Sequence, residues 1–292
     1  MRRTVAAVVV GLSLLALPLM GQQLDQLVEE GLSIFLNDQV VVSSRTELEQ
    51  AIESLKTAVQ LDPVNAEVLN ALSQCYYTLA DVYEVEDEAK KAAYTEGWHY
   101  GEMSLRLAPG FDEAEEEEGF AAAVLLVDDV AALQWTYSNW SRYDQFDILG
   151  AVFRNDTAKL RAIIERAIDV DPTYVAGAPY RSIAAYYASL PKLLGQDLDL
   201  TLSYLCHVVD SGECADCETC PAKMDPICDE FFGNRVFYAQ FYLIPSEKWE
   251  QARDVLASVI EDEIGEIYPF HNALNQQRAQ RLLEEEVVPS LP

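Results

Sequence analysis

Cysteine is the residue type best suited to chemistry in this sequence, and its six copies are unevenly distributed. Five of them form a cysteine-rich insert over about residues 206–228, with a C-x2-C-x2-C run at its centre: Cys206, Cys214, Cys217, Cys220 and Cys228. Thiols at this spacing either pair as disulfides, with Cys75 making the number even, or hold a metal or iron–sulfur centre through Cys214, Cys217, Cys220 and Cys228. The compartment decides between these chemistries, because disulfides persist where the surroundings are oxidising.

Residues 1–21 have the pattern of a signal peptide. Arg2 and Arg3 supply a cationic region, residues 5–19 an apolar one, and Gly21 lies near the expected cleavage point. We therefore predict an exported, periplasmic protein with its domain over residues 22–292; an uncleaved segment kept as an anchor is the alternative. No cysteine directly follows the apolar region, so a lipoprotein site is not predicted, and no later stretch is apolar enough to span a membrane. Export favours disulfides over a metal, and no cofactor is predicted.

Net charge and the remaining polar residues exclude several classes of function. The chain has 20 lysine and arginine residues against 49 aspartate and glutamate residues, a formal charge of -29, which argues against nucleic-acid and anionic-membrane partners. The acidic run at residues 112–118 lacks the glycine-containing loop of a calcium site, so we interpret it as a solvated helix start. The three histidines have no metal-ligand spacing, and no nucleophile motif or glycine-rich phosphate loop is present. The protein is predicted not to be an enzyme.

Aromatic and polar residues in the middle of the chain are the best candidates for ligand contact. Residues 135–187 are rich in tryptophan and tyrosine, which form an apolar cleft when helices leave space between them. Arg181 and Asn139 are candidates for orienting the polar end of a ligand, although an arginine beside aromatic rings is equally a packing element. The competing interpretation is that the aromatic residues are core between helical layers. The predicted ligand-binding residues are Trp135, Asn139, Trp140, Tyr180, Arg181, Tyr186 and Tyr187.

Hydrophobic periodicity predicts helices over most of the chain. Leu48, Ile52, Leu55 and Val59 recur at helical spacing, and similar stripes occupy residues 160–168, 183–190, 249–260 and 278–283. No comparable run alternates strictly between apolar and polar residues, so strands are not required. The sequence therefore predicts an all-α fold.

The connections between these helices indicate a repeat architecture. Asp62-Pro63 and Asp171-Pro172 each follow one amphipathic helix and precede another, with the aspartate predicted to cap the next helix and the proline to enter its first turn. Pro109-Gly110 is a looser version. This helix–turn–helix pattern is typical of tetratricopeptide-like units, but the three turns are irregularly spaced. We predict degenerate tetratricopeptide-like helix pairs that form a curved helical layer with a concave face.

Several short motifs between residues 135 and 287 occur in a characteristic order: SNW at 138–140, IIERAIDVDPTY at 163–174, GAPYR at 177–181, YYASLP at 186–191, LGQD at 194–197, ALN at 273–275 and RAQRLL at 278–283. In these motifs the sequence resembles the T components of tripartite ATP-independent periplasmic (TRAP) transporters. The resemblance implies an all-helical periplasmic protein that forms homotrimers, has a hydrophobic pore or cleft and assists a substrate-binding protein with apolar ligands. Many relatives look like lipoproteins, whereas this chain lacks the lipid-bearing cysteine and carries the cysteine-rich insert.

Three hypotheses about function follow. The first is a TRAP accessory that binds a hydrophobic small molecule, the periplasmic substrate-binding protein, or both. The second is a general periplasmic scaffold for protein–protein interaction without a ligand. The third is a redox or metal-binding module built on the cysteine-rich insert.

Overall fold

The computed structural model describes residues 21–210 and 230–291, and these residues form fourteen α-helices and one short β-hairpin. The helices are α1 (residues 21–32), α2 (Arg45–Leu61), α3 (Ala66–Thr78), α4 (Asp87–Leu105), α5 (Phe111–Glu118), α6 (Phe120–Val124), α7 (Val130–Gln145), α8 (Ile148–Arg154), α9 (Asp156–Val170), α10 (Tyr174–Ser189), α11 (Leu198–Leu205), α12 (Phe232–Tyr238), α13 (Trp249–Glu261) and α14 (Pro269–Leu282). Single π-helical turns extend three of them, at Leu79–Tyr83, Ala239–Leu243 and Leu283–Val287. The all-α prediction is confirmed, and the tetratricopeptide-like arrangement stays a prediction.

The hairpin is the one β structure among the described residues, and the sequence did not predict it. Strand β1 (Phe35–Leu36) pairs antiparallel with β2 (Gln39–Val40). The turn residues Asn37 and Asp38 both have positive φ, 49° and 59°, as the commonest two-residue hairpin turn requires. Strands of two residues are too short to show alternation, which is why the hydrophobic pattern missed them.

The helix stripes were predicted correctly, but two of the predicted caps are wrong. Helix α2 buries Leu48, Ile52 and Leu55, as its periodicity requires. The N-cap of α3, however, is Asn65, whose side chain accepts a hydrogen bond from the backbone N–H of Val68 at 3.2 Å. Asp62 instead ends α2, donating its backbone N–H to the carbonyl of Ala58 at 2.8 Å.

Asp171 likewise ends a helix rather than starting one. It is the C-cap of α9, and its carboxylate accepts a hydrogen bond from the backbone N–H of Thr173 at 2.9 Å. In both connections the chain needs additional residues after the proline to reverse direction before the next helix begins.

Buried apolar side chains form three large cores in succession along the described chain, and a small fourth cluster joins Ala176, Phe231 and Tyr268. The first joins the hairpin with α2, α3 and the start of α4, and includes Val40, Leu55 and Leu72. The second joins α4 to α7 with α9 and α10, and the third joins α10 and α11 with α12, α13 and α14. No helix within residues 21–210 and 230–291 is long and apolar enough to cross a bilayer.

Helices α3, α4 and α7 approach closely because two glycines lie where they meet. A Cβ on Gly97 would collide with the side-chain amide of Asn139, and one on Gly101 would lie 2.5 Å from Thr136 Oγ1. Asn139 is fully buried and donates through Nδ2 to the carbonyl oxygens of Ser73 and Trp135, each at 2.9 Å. The hydrogen bond to Ser73 fixes α7 against α3, and the one to Trp135 lies within α7.

Replacing Gly97 by alanine is expected to lower the free energy of unfolding by about 1–3 kcal/mol, because the added methyl overpacks this junction. Chemical denaturation of the purified protein measures the change. The matched control is Glu96→Ala, at the neighbouring solvent-exposed position of α4, which should change stability by less than about 0.5 kcal/mol. Equal stability of Gly97→Ala and the wild type would mean that α4 and α7 are not in this contact in solution.

Candidate functional site

A cavity of about 340 Å³ lies where α3, α7 and α10 meet α12 and α14, and we call it the central cavity. One part of its wall is aromatic and consists of Tyr77, Trp135, Phe231, Phe237 and Phe270. Another part is polar and includes Asp81, Gln134, Arg181, His271, Arg278 and Arg281. The aromatic rings can therefore enclose the apolar part of a ligand, while the polar groups contact one end of that ligand.

The first turn of α10 supplies a strained section of this wall. Val175, Ala176 and Gly177 have positive φ values of 46°, 51° and 82°, a left-handed conformation that is costly for the first two residues. Arg181 stabilises it by donating to the carbonyl oxygens of Ala176 at 2.6 Å and Val175 at 2.9 Å. At Gly177 a side chain would also collide with Val208, so glycine is required for space as well as for φ.

Arg181 is buried, and it connects this turn to the C-terminal helices. Its guanidinium also donates to Asn234 Oδ1 at 2.6 Å and stacks over the ring of Phe231, 4.5 Å from the centroid. Sequence analysis predicted a ligand-orienting role for Arg181. The structure places it on the cavity wall, where these protein contacts hold its side chain in position.

Trp135 lies between the central cavity and a second, more open groove of about 510 Å³. Its indole N–H donates to the hydroxyl of Tyr174 at 3.0 Å, and its ring lies 5.7 Å from that of Tyr77. The second groove carries three acidic residues, Asp38, Glu67 and Asp129. Trp135 and Arg181 are thus the two sequence-predicted site residues that line the central cavity.

Asn139 and Trp140 do not line the central cavity, in contrast to the sequence-based expectation. Asn139 is a packing residue between α3, α4 and α7, as described above. Trp140 is 3% exposed and belongs to the second core, where its ring stacks on Trp98 with centroids 4.4 Å apart and meets Phe120 edge to face at 5.8 Å. For both residues the competing interpretation, core between helices, describes the observed environment.

The three tyrosines predicted on α10 also face away from the central cavity. Tyr180 packs in the third core and stacks on His207 with centroids 4.2 Å apart. Tyr186 donates its hydroxyl to the carbonyl of Thr157 at 3.3 Å, and Tyr187 stacks on Tyr204. These contacts join α10 to α9 and α11.

Sequence analysis missed most of the cavity wall because it comes from the C-terminal helices. Phe231, Phe237 and Phe270 are far from Trp135 in sequence, and nothing local indicates that the chain brings them together. One signal was available: Trp135 and Trp140 are five residues apart, so they lie about 140° apart around a helix and cannot share a face.

The cysteines are only partly within the described residues. Cys75 is a free thiol, so the expectation that it forms a disulfide is wrong. Its side chain has no solvent exposure, and this burial raises its pKa. Cys206 is disulfide-bonded. Cys214, Cys217, Cys220 and Cys228 lie outside the described residues. Across residues 21–210 and 230–291 no group of three or more histidine, cysteine, aspartate or glutamate side chains is arranged to hold a metal ion.

A cluster of three aspartates surrounds Arg154 at the junction of α7, α8 and α9. The guanidinium donates to Asp144 at 3.1 Å, to Asp147 at 2.7 Å and to Asp156 at 2.6 Å. Asp156 is fully buried, and one oxygen of Asp144 and one of Asp156 have no hydrogen-bond partner. Burial and the neighbouring charge of Asp156 raise the pKa of Asp144 to about 7.

Comparison with known families identifies the chain. A sequence model of the TRAP transporter T-component family matches residues 50–207, which is more than half of the 292 residues. The chain belongs to this family. The resemblance to this family is therefore confirmed, and the match overlaps the inferred range of 135–287 over residues 135–207; it begins earlier and ends before the motifs at 273–283. No curated protein matches the chain.

Membership assigns the protein to the transport accessories, which are not a family of known enzymes. The T-component match runs from within α2 to the end of α11, so it contains the α3, α7 and α10 side of the central cavity. The α12 and α14 side lies beyond it. The cavity is thus formed between the matched part of the chain and helices specific to the C-terminal part.

Proposed function

We propose that this T component is exported to the periplasm, holds a hydrophobic small molecule in the central cavity and exchanges it with the substrate-binding protein of a TRAP system. The observation that supports the proposal is the aromatic wall of Tyr77, Trp135, Phe231, Phe237 and Phe270 around about 340 Å³. Ligand pockets in proteins have volumes of about 300–1,000 Å³ and similar apolar linings.

The driving force for such binding is burial of apolar surface. It supplies on the order of 25 cal/mol for each Å² removed from water. The wall is held by protein contacts, Trp135 by Tyr174 and the α10 turn by Arg181, so little ordering remains to oppose binding.

The cavity is tested with the neutral fluorescent probe N-phenyl-1-naphthylamine. The wild type should bind it saturably, and Leu274→Trp, which fills the space from α14, should weaken binding at least tenfold. Gln280→Trp is the matched control, since it adds the same ring at an exposed position of α14 outside the cavity. Thermal unfolding of all three proteins shows whether each variant is folded.

The transport role is tested with protein purified from its own cell envelope. Native mass spectrometry should detect a co-purified small molecule and an assembly of three copies beginning near Gln22. The purified substrate-binding protein encoded by a neighbouring gene should bind with a measurable Kd. Failure to bind the neutral probe, to retain a ligand and to bind this partner would reject the proposal and leave a scaffold without ligand.

A further inference from the structure

We propose that the ligand of the central cavity is an amphipathic organic anion, with its apolar body against the aromatic wall and its anionic group at Arg278 and Arg281. This inference rests on the proposed function and adds the charge of the ligand to it. Three kinds of observation carry it: a guanidinium without an ion pair among the described residues, the charge balance of the lining, and the position of the aromatic rings.

Arg278 is the central observation. Its Nε donates to Gln240 Oε1 at 2.9 Å, and its guanidinium lies over the ring of Phe237, 5.1 Å from the centroid. Within residues 21–210 and 230–291, its two terminal nitrogens have no hydrogen-bond partner and no carboxylate forms an ion pair with it. Loss of water around the group and the like charge of Arg142 lower its pKa, and the charge of Asp81 opposes this shift without forming an ion pair with Arg278. A half-buried cation without an ion pair is destabilised, and a bound anion offsets that cost.

Arg281 extends the positive surface by one helical turn. It lies three residues beyond Arg278 on α14, so the two side chains are neighbours on one helix face, and both line the cavity. Arg281 is exposed to solvent and likewise has no ion pair among the described residues. Two adjacent guanidinium groups match a carboxylate or similar oxyanion, because each offers parallel N–H donors.

The net charge of the cavity lining is opposite in sign to that of the whole chain. Of the described residues that line the cavity, three are arginines and one, Asp81, is acidic. Asp81 is already engaged, since Arg142 Nη2 lies 3.6 Å from its carboxylate and the hydroxyl of Tyr94 donates to it at 3.3 Å. Burial lowers the pKa of His271 to about 4, so this side chain is neutral near pH 7. A chain with a formal charge of -29 thus has a net positive cavity, which attracts anions and excludes cations.

The rings place the apolar part of the ligand next to the charge. Phe237 contacts Arg278 directly, and Phe270 enters the same cavity one turn earlier than Leu274 on α14. A short alkyl or aryl chain ending in an oxyanion meets rings along its length and guanidinium groups at its end. A volume of about 340 Å³ favours a small ligand over a phospholipid.

The test compares three eight-carbon probes that differ in their polar end, namely octanoate, 1-octanol and octylamine, by displacement of N-phenyl-1-naphthylamine at pH 7. Octanoate should bind at least tenfold more tightly than the other two. Arg278→Met should weaken octanoate at least tenfold and change 1-octanol by less than twofold, and Arg278→Lys should recover part of the loss. The matched control is Arg253→Met, which removes an exposed arginine of α13 that pairs with Asp254 away from the cavity.

The outcomes separate this inference from the proposed function. Equal affinity for octanoate and 1-octanol, or octanoate binding that survives Arg278→Met within twofold, would overturn the anion assignment while the apolar cavity stands. Tighter binding of octylamine would overturn it as well. Displacement by none of the three probes, with no binding of the neutral probe itself, would reject both. Thermal unfolding of Arg278→Met and Arg278→Lys shows that each variant is folded at the assay temperature.

Discussion

Replacing Trp140 by alanine is expected to lower the free energy of unfolding by about 3–5 kcal/mol, without a separate effect on ligand binding. Trp140 is almost fully buried, stacks on Trp98 and touches Phe120, so truncation opens a large void in the second core. Lys159 also lies over its ring, 5.6 Å from the centroid, and loses that contact. Denaturant unfolding, followed by circular dichroism, measures the change.

Binding of N-phenyl-1-naphthylamine distinguishes a core residue from a wall residue. Trp140→Ala, measured where the variant is still folded, should bind the probe within about twofold of the wild type, because Trp140 is not part of the cavity wall. The matched comparison is Phe270→Ala, a half-buried wall residue, which should lose more affinity and less stability. If Trp140→Ala had nearly normal stability and bound the probe weakly, Trp140 would be a ligand-contacting residue and not a core residue.

The sequence predicted the helices well because periodicity is a local property. Helices α2, α9 and α13 each bury one stripe of side chains, and the spacing of that stripe is fixed by 3.6 residues per turn whatever the helix packs against. The caps were less predictable. Asp62 and Asn65 are both good N-cap residues, and only the backbone direction after Pro63 decides which one begins α3.

The cavity could not be predicted in the same way, because it is made by contacts between distant segments. Arg278 has no partner in its own helix, and its proposed role follows only from the position of Phe237 and from the absence of an ion pair to its guanidinium in the described part of the chain. Sequence analysis gave weight to aromatic residues that are close in sequence. Tertiary packing instead divided them between the second core, the third core and the cavity wall.

The Asp144→Asn variant is expected to gain stability relative to the wild type as the pH rises from 5 to 8. Asp144 is 12% exposed and shares Arg154 with the buried Asp156, and its pKa is raised from an ordinary value near 4 to about 7. The folded protein therefore holds a proton on this carboxyl in a pH range where the unfolded chain has released it. Protonation stabilises the fold below about pH 4, and this stabilisation is lost as the pH rises toward 7.

The size of the effect follows from the same linkage. Each unit of pKa difference corresponds to about 1.4 kcal/mol, and the interval from pH 5 to the raised pKa covers roughly two units, so the stability difference between the two proteins should change by about 1–3 kcal/mol. Comparing the variant with the wild type at each pH cancels the titration of the other acidic residues. Urea unfolding at pH 5, 6, 7 and 8 gives the four differences.

Asp147→Asn is the matched control, because Asp147 contacts the same guanidinium but titrates in the opposite sense. Its hydrogen bond from Arg154 holds the pKa of Asp147 below its usual range, so its stabilising charge is fully present above about pH 4 and is lost only at lower pH. The stability difference between Asp147→Asn and the wild type should therefore be constant from pH 5 to 8. A constant difference for Asp144→Asn as well would mean that Asp144 is ionised throughout this range, and that Arg154 neutralises Asp144 as well as Asp156.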